Sequence, residues 1–209
     1  MEEFLRPTDT VESGHPRIQE CARELTRGCA SDVEKAVKLF YFVRDEIRYN
    51  IYMISMDLEE FRASFILEAQ KGYCVQKAVL LAALSRAAGI PNRLAFARIR
   101  NQRVPEKLYA RTKTRVFPAH GFNQFYLEGR WISAAATFDR RLCEKVGVGV
   151  VEFDGTRDAL LPQRALDGGR YIEYLEHYDP LADLPLEWIV ERTSKIWGID
   201  KRAWINPKD

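Results

Sequence analysis

The sequence predicts one domain in which helices and antiparallel strands share a core. Three observations carry that expectation. Residues 75 to 88 are apolar nearly all round a helix, with Gly89 as a C-cap and Pro91 forbidding continuation. Residues 93 to 100 alternate as a strand does. Residues 120 to 127 and 130 to 137 alternate on either side of Glu128-Gly129, which signals a hairpin. With 209 residues, 46% of them hydrophobic, the chain can bury one substantial core, and no repeat or linker divides it. A single domain over residues 1–209 follows.

Along the chain, residues 1 to 14 hold Pro7, Asp9, Ser13 and Gly14 and are expected to form an irregular arm. Ile18, Cys21, Ala22 and Leu25 have helical spacing that Gly28 ends. Ser31 or Asp32 then caps a second helix, whose Val33, Ala36, Val37, Phe40, Val43 and Ile47 make one stripe. A short helix is placed at 58 to 70. Residues 101 to 115 form a polar loop with five basic residues and one acid, read as a solvated tip or as a flap attracting an anionic substrate. After Asp139 a short helix through Leu142 and Cys143 ends at Gly147. A strand is expected at Val150 to Phe153, irregular chain at 156 to 184, and a last helix from Pro185 to Trp197.

Lysine and arginine total 32 against 30 acids, and the net charge of +2 gives no reason to expect nucleic acid or an anionic membrane as partner. The N-terminus lacks a basic and an apolar region of export type, and no apolar run reaches the roughly 20 residues that span a bilayer. Four cysteines, at 21, 29, 74 and 143, without a CxxC pair, suit a reducing compartment, so a cytoplasmic protein is expected. No second His or Cys stands at ligand spacing and no nucleotide-binding loop is present, so neither metal nor cofactor is expected.

The chemistry concentrates at Cys74 and His120. Cys74 follows Gly72-Tyr73 and opens the buried helix, where unpaired N–H groups and the macrodipole favour a thiolate. A shift of the thiol from about 8.5 to about 6, supplied by the helix start and an imidazolium, would make it roughly 90% thiolate at pH 7. Cys21, Cys29 and Cys143 read as buried small hydrophobes. His120 begins a strand, a rigid place from which to aim an imidazole. His15, in the N-terminal arm, and His177, in a charged helix-like stretch, read as surface residues.

Gly72-Tyr73-Cys74-Val75-Gln76-Lys77-Ala78, running through Arg86-Ala87-Ala88-Gly89-Ile90-Pro91-Asn92-Arg93, resembles the nucleophile segment of the transglutaminase-like superfamily. His120-Gly121-Phe122-Asn123-Gln124, followed by Gly129-Arg130-Trp131, is similar to that family's histidine hairpin. The motifs span about residues 60 to 140. The resemblance implies an α+β, papain-like core: a central Cys-bearing helix packed on an antiparallel sheet, with helices N-terminal to it. It also implies a Cys-His-Asp triad in which the thiolate attacks an amide carbonyl and forms an acyl-enzyme. Cys74 and His120 match the first two positions, but the usual Asp position is Ala135. With Glu128-Gly129 as the turn, Phe122 faces Ala135 and His120 faces Thr137. Thr137 and Asp139 could orient the imidazole instead, Asp139 being favoured over a plain capping role because a carboxylate also stabilises an imidazolium.

Phe122 and Gln124 replace the family's Trp and Glu and alter the cleft wall. Tyr73 and Gln76, with Gln70, adjoin the nucleophile as wall residues or as a second oxyanion donor beside the Cys74 N–H. The expected function is that of a cysteine-dependent amide hydrolase or acyltransferase acting on a peptide, protein or small-molecule amide. The alternative is a binding or scaffolding module that kept the cleft after losing the orienting Asp.

Overall fold

In the computed structural model, which describes residues 1–198, the chain runs through helices α1 (Pro16–Leu25) and α2 (Asp32–Asp45), strand β1 (Arg48–Tyr49), helix α3 (Ala63–Ala69) and strand β2 (Lys71–Gly72) into helix α4 (Cys74–Ala87). Strand β3 (Asn92–Asn101), helix α5 (Glu106–Thr112), the hairpin β4 (Val116–Leu127) and β5 (Arg130–Ala134), helix α6 (Arg140–Val146), strand β6 (Ile172–His177) and helix α7 (Leu186–Trp197) follow. The main sheet has the order β5-β4-β3-β6 and is antiparallel throughout, while β1 and β2 make a small parallel pair. This is the α+β arrangement expected, with a Cys-bearing helix at its centre.

Helix α4 is central because it is apolar nearly all round and leaves no exposed face: every residue from Cys74 to Arg86 is buried. Helices α1, α2 and α3 pack around it, and β3 and β4 form its floor. The two cations on it need satisfying partners, since a buried ammonium or guanidinium without hydrogen bonds is costly. Lys77 Nζ donates to the Arg44 carbonyl at 2.9 Å, and burial pulls its pKa down to about 7. Arg86 donates to the carbonyls of Asn92, Arg6 and Ala182, tying the N-terminal arm, the start of β3 and the approach to α7 to one guanidinium. A polar thread crosses the helix–sheet contact: Asn123 Nδ2 donates to the Ala78 carbonyl and to Asn92 Oδ1, and Asn92 Nδ2 to Ser85 Oγ.

The hairpin has the predicted register. Glu128 and Gly129 both take positive φ, at 50° and 83°, as a tight two-residue turn requires, and pairing runs from Leu127↔Arg130 to Asn123↔Ala134. It then stops three residues early. Ala135 donates to the carbonyl of Ala159, so the chain leaves β4 before reaching the level of His120, and Thr137 is not its ladder partner. At that level β4 is held against α4: a Cβ on Gly121 would lie 2.9 Å from Val75 Cα.

Elsewhere the expectations need correcting. The loop at 101 to 115 contains α5, and irregular chain at 156 to 184 contains β6, whose Ile172 is buried on the inner side while Glu173 faces out. Val150 to Phe153 is not a strand; Val151 and Phe153 are buried singly, Val151 giving its carbonyl to Arg44. His177 lies at the end of β6 rather than in a helix, and His15 caps α1 through Nδ1.

Gly121→Ala tests the close contact. A methyl 2.9 Å from main chain forces helix and strand apart, so urea unfolding should show a loss of about 1–3 kcal/mol. An unchanged midpoint would mean that the contact is loose.

Candidate active site

Cys74 occupies the first helical position of α4, after the extended N-cap residue Tyr73. The end is held by Gln76, whose Oε1 accepts the Tyr73 N–H at 3.2 Å while its Nε2 donates to the Glu60 carbonyl. Gln76 is fully buried with both ends of its amide engaged, so it braces the helix start and is not a substrate contact. Tyr73 is buried against Phe61 and also lines the cleft. The thiol lines a narrow, mostly apolar cleft. Ile51, Ile54, Ser55 and Met56 form one wall, Phe117, Pro118 and Ala119 of β4 the floor, and Ile189, Val190, Thr193 and Trp197 of α7 the other wall.

The backbone N–H groups of Gly121, Val75 and Cys74 all favour the Cys74 thiolate, as the helix start predicted. They do not win. Burial pushes the thiol up to about 11, because an anion in this enclosed apolar setting loses more hydration than three amides restore. The expected fall toward 6 is therefore corrected to a rise.

His120 is 2% exposed, next to Gly121 whose N–H favours the sulfur anion. Its ring stacks on Phe122 with centroids 6.0 Å apart and meets Tyr174 at 6.2 Å; His177 stacks on Tyr174 at 5.3 Å. Burial, then the charge of His177, pulls the imidazole down to about 3, so it is neutral at physiological pH. Its Nε2 is buried without a hydrogen-bond partner, and no hydrogen bond joins it to Cys74. In this form thiol and imidazole are both neutral.

Asp139 does not hold the imidazole. Its Oδ1 accepts the Leu142 N–H at 3.0 Å and caps α6, and its Oδ2 accepts the Tyr49 N–H at 2.9 Å. A carboxylate so committed to two amides stitches α6 to β1, and the favoured orienting role gives way to the capping one. Gln124 is also engaged elsewhere, accepting from Arg93 Nε and donating to Ser133 Oγ. Phe122 remains beside His120 as a wall of its ring cage. The residues missed by sequence reasoning are Tyr174 and His177, the 51–56 segment and the face of α7 over the thiol. The alternation of Ile172 and Tyr174 with Glu173 was the one local signal for the first pair.

The basic segment does not face the thiol. Arg103 is paired with Asp167 and bonded to the Val146 carbonyl, and Arg115 lies over the Tyr109 ring. Among the described residues no cluster of ligating side chains could hold a metal ion.

Residues 19–136 match the family model of the transglutaminase-like superfamily, a span that includes both Cys74 and His120. The chain belongs to the transglutaminase-like superfamily. A solved structure described as a "putative cysteine protease" from Cytophaga hutchinsonii is similar in fold, with a TM-score of 0.53 at 19% identity over 88% of this chain and 48% of that one. The periplasmic domain of TgpA from Pseudomonas aeruginosa gives a TM-score of 0.45 at 19% identity, covering 64% of this chain and 45% of that one. The chain thus spans about half the length of these neighbours. No curated protein matches it. No helix among the described residues is long and apolar enough to cross a membrane.

Because it is buried in its neutral form, the imidazole should leave a mark on stability. The unfolded state binds a proton at His120 below about pH 6.5, whereas the folded state resists until about 3, so stability falls as pH falls through that window. Between pH 7 and pH 5 the loss is about 2 kcal/mol. His120→Phe, which keeps a ring in the cage, should flatten that part of the urea-stability profile; an unchanged slope would show that His120 titrates normally. Asp139→Ala should cost about 1–3 kcal/mol through the two orphaned amides.

Proposed function

We propose that this protein is a cysteine-dependent acyl-transfer enzyme, a hydrolase or acyltransferase of amides or related acyl compounds, with Cys74 as nucleophile and His120 as the proton acceptor. The observation that carries the reading is the placement of Cys74: a thiol at the first turn of a wholly buried helix, opening into the apolar cleft with three backbone amides that favour its anion. A structural cysteine needs no such setting. His120 supports the reading through its unpartnered Nε2 and its place next to Gly121.

In the proposed reaction Sγ attacks the carbonyl carbon as its proton passes to the imidazole, which must turn within its cage to receive it. The C–S bond forms, the amide C–N bond breaks, and the proton is returned to the leaving amine. Water or a second amine then resolves the thioester. The same amides that favour the sulfur anion lie near where a carbonyl oxygen would gain charge. No carboxylate is bonded to the ring, so Tyr174 and Phe122 are left to hold its orientation by packing alone.

That last point favours a second reading, a binding module that retains the cleft. Ala135 stands where the family's Asp is expected, Asp139 is committed elsewhere, and both ionisations are shifted against a resting thiolate–imidazolium pair.

Incubation with p-nitrophenyl acetate and intact-mass measurement separates the two. The enzyme reading predicts an acetyl thioester on Cys74 with p-nitrophenolate released beyond one equivalent, abolished in Cys74→Ala and slowed about 10²–10⁴-fold in His120→Ala. Acetylation confined to lysines, or equal turnover by Cys74→Ala, leaves only the binding module.

A further inference from the structure

Resting on the acyl-transfer reading, we infer that the acyl group delivered to Cys74 is uncharged and apolar, and that Ile51 and Phe117 set its length. Among the described residues, no charged side chain lines the cleft in front of Sγ, and the polar side chains there are Ser55, Thr193, Tyr73 and Trp197, the last already donating its Nε1–H to the Val116 carbonyl. A carboxylate or ammonium placed there would lose its hydration with nothing to pair with, a cost of several kcal/mol per ion. An alkyl chain, in contrast, gains about 0.8 kcal/mol for each methylene buried. The basic residues between 101 and 115, which suggested an acidic substrate, are spent on Asp167, the Val146 carbonyl and the Tyr109 ring, or lie outside this cleft.

The length limit comes from a partition. A second, roomier cleft lies beside the first, lined mostly by aromatic and aliphatic residues such as Tyr49, Phe138, Leu142 and Tyr171, with Arg103, Asn50 and Asn101 also in its lining. Ile51 and Phe117 line both. Both side chains are only half-buried, and the Phe117 ring is steadied edge-on by Trp197 at 5.5 Å. Together they form the wall between the thiol's own cleft and the larger, mostly apolar space behind it. Shortening either should join the two and admit a longer chain.

The test uses alkylation, which needs no acyl chemistry: Sγ forms a bond to carbon, iodide leaves, and the thiol proton goes to solvent. Iodoacetate, iodoacetamide and N-butyl and N-octyl iodoacetamide are compared at pH 8.5, following Cys74 by peptide mass spectrometry and dividing each rate by that for glutathione. The expected order at Cys74 is butyl above unsubstituted by about tenfold, from two methylenes' worth of burial or more, with octyl below butyl and iodoacetate slowest. Phe117→Ala and, independently, Ile51→Ala should move the optimum to octyl, while Val190→Asp should erase the butyl advantage. Circular dichroism checks that each variant is folded, and the two shortened residues guard against loss of either one. Equal normalised rates for all four reagents, or iodoacetate reacting fastest, would overturn the assignment. So would an optimum that stays at butyl in both shortened variants. The acetyl-thioester experiment is separate, so a retained alkylation order without thioester sinks acyl transfer, and a thioester without the order sinks the apolar site.

Discussion

The structure depends on the burial of one helix terminus. The start of α4 presses against β4 so closely that position 121 has room only for glycine, and everything around the thiol follows from that contact. It places Sγ beside the Gly121 amide and His120 one residue away, and coincides with the level at which β5 leaves the sheet. It also demands that α4 be buried all round, because α1, α2 and α3 close over its other faces. Where a cation does occur on it, backbone carbonyls receive it, as with Lys77 and Arg86.

The same burial works against ionisation. A helix start is a usual means of lowering a thiol's pKa, yet here desolvation outweighs the amides around Sγ, and burial likewise keeps the imidazole of His120 neutral. A neutral thiol and a neutral imidazole together hold the same number of protons as a thiolate and an imidazolium, so the proposed acyl transfer would need only that one proton cross when a carbonyl arrives. Residues of α7 line the cleft on which the sulfur borders.

The parts of this arrangement that depend on local pattern were legible in the sequence. The run at 75 to 88, apolar nearly all round, identifies the central helix, Glu128-Gly129 fixes the hairpin register, and the two motifs around Cys74 and His120 identify the superfamily. What was not legible depends on contacts between distant segments. Thr137 fails to face His120 because Ala135 pairs with residue 159 instead, and Asp139 fails to orient it because Tyr49, ninety residues earlier, takes its second oxygen. Gln76 looks like a cleft residue until Glu60 is seen behind it. Strand β6 was hidden because its outer face carries Glu173 and Glu176, which read as a charged helix, although they pair with Arg100 and Arg98 of β3.

The most direct measurement of the central claim is the pH dependence of the iodoacetamide reaction at Cys74, from pH 5 to 10. A thiol held near 11 by burial predicts a logarithmic rate that climbs with unit slope across the whole range and shows no plateau. A plateau between about pH 6 and 8 would show a preformed thiolate–imidazolium pair and would contradict the account of a helix terminus buried deeply enough to keep its thiol protonated.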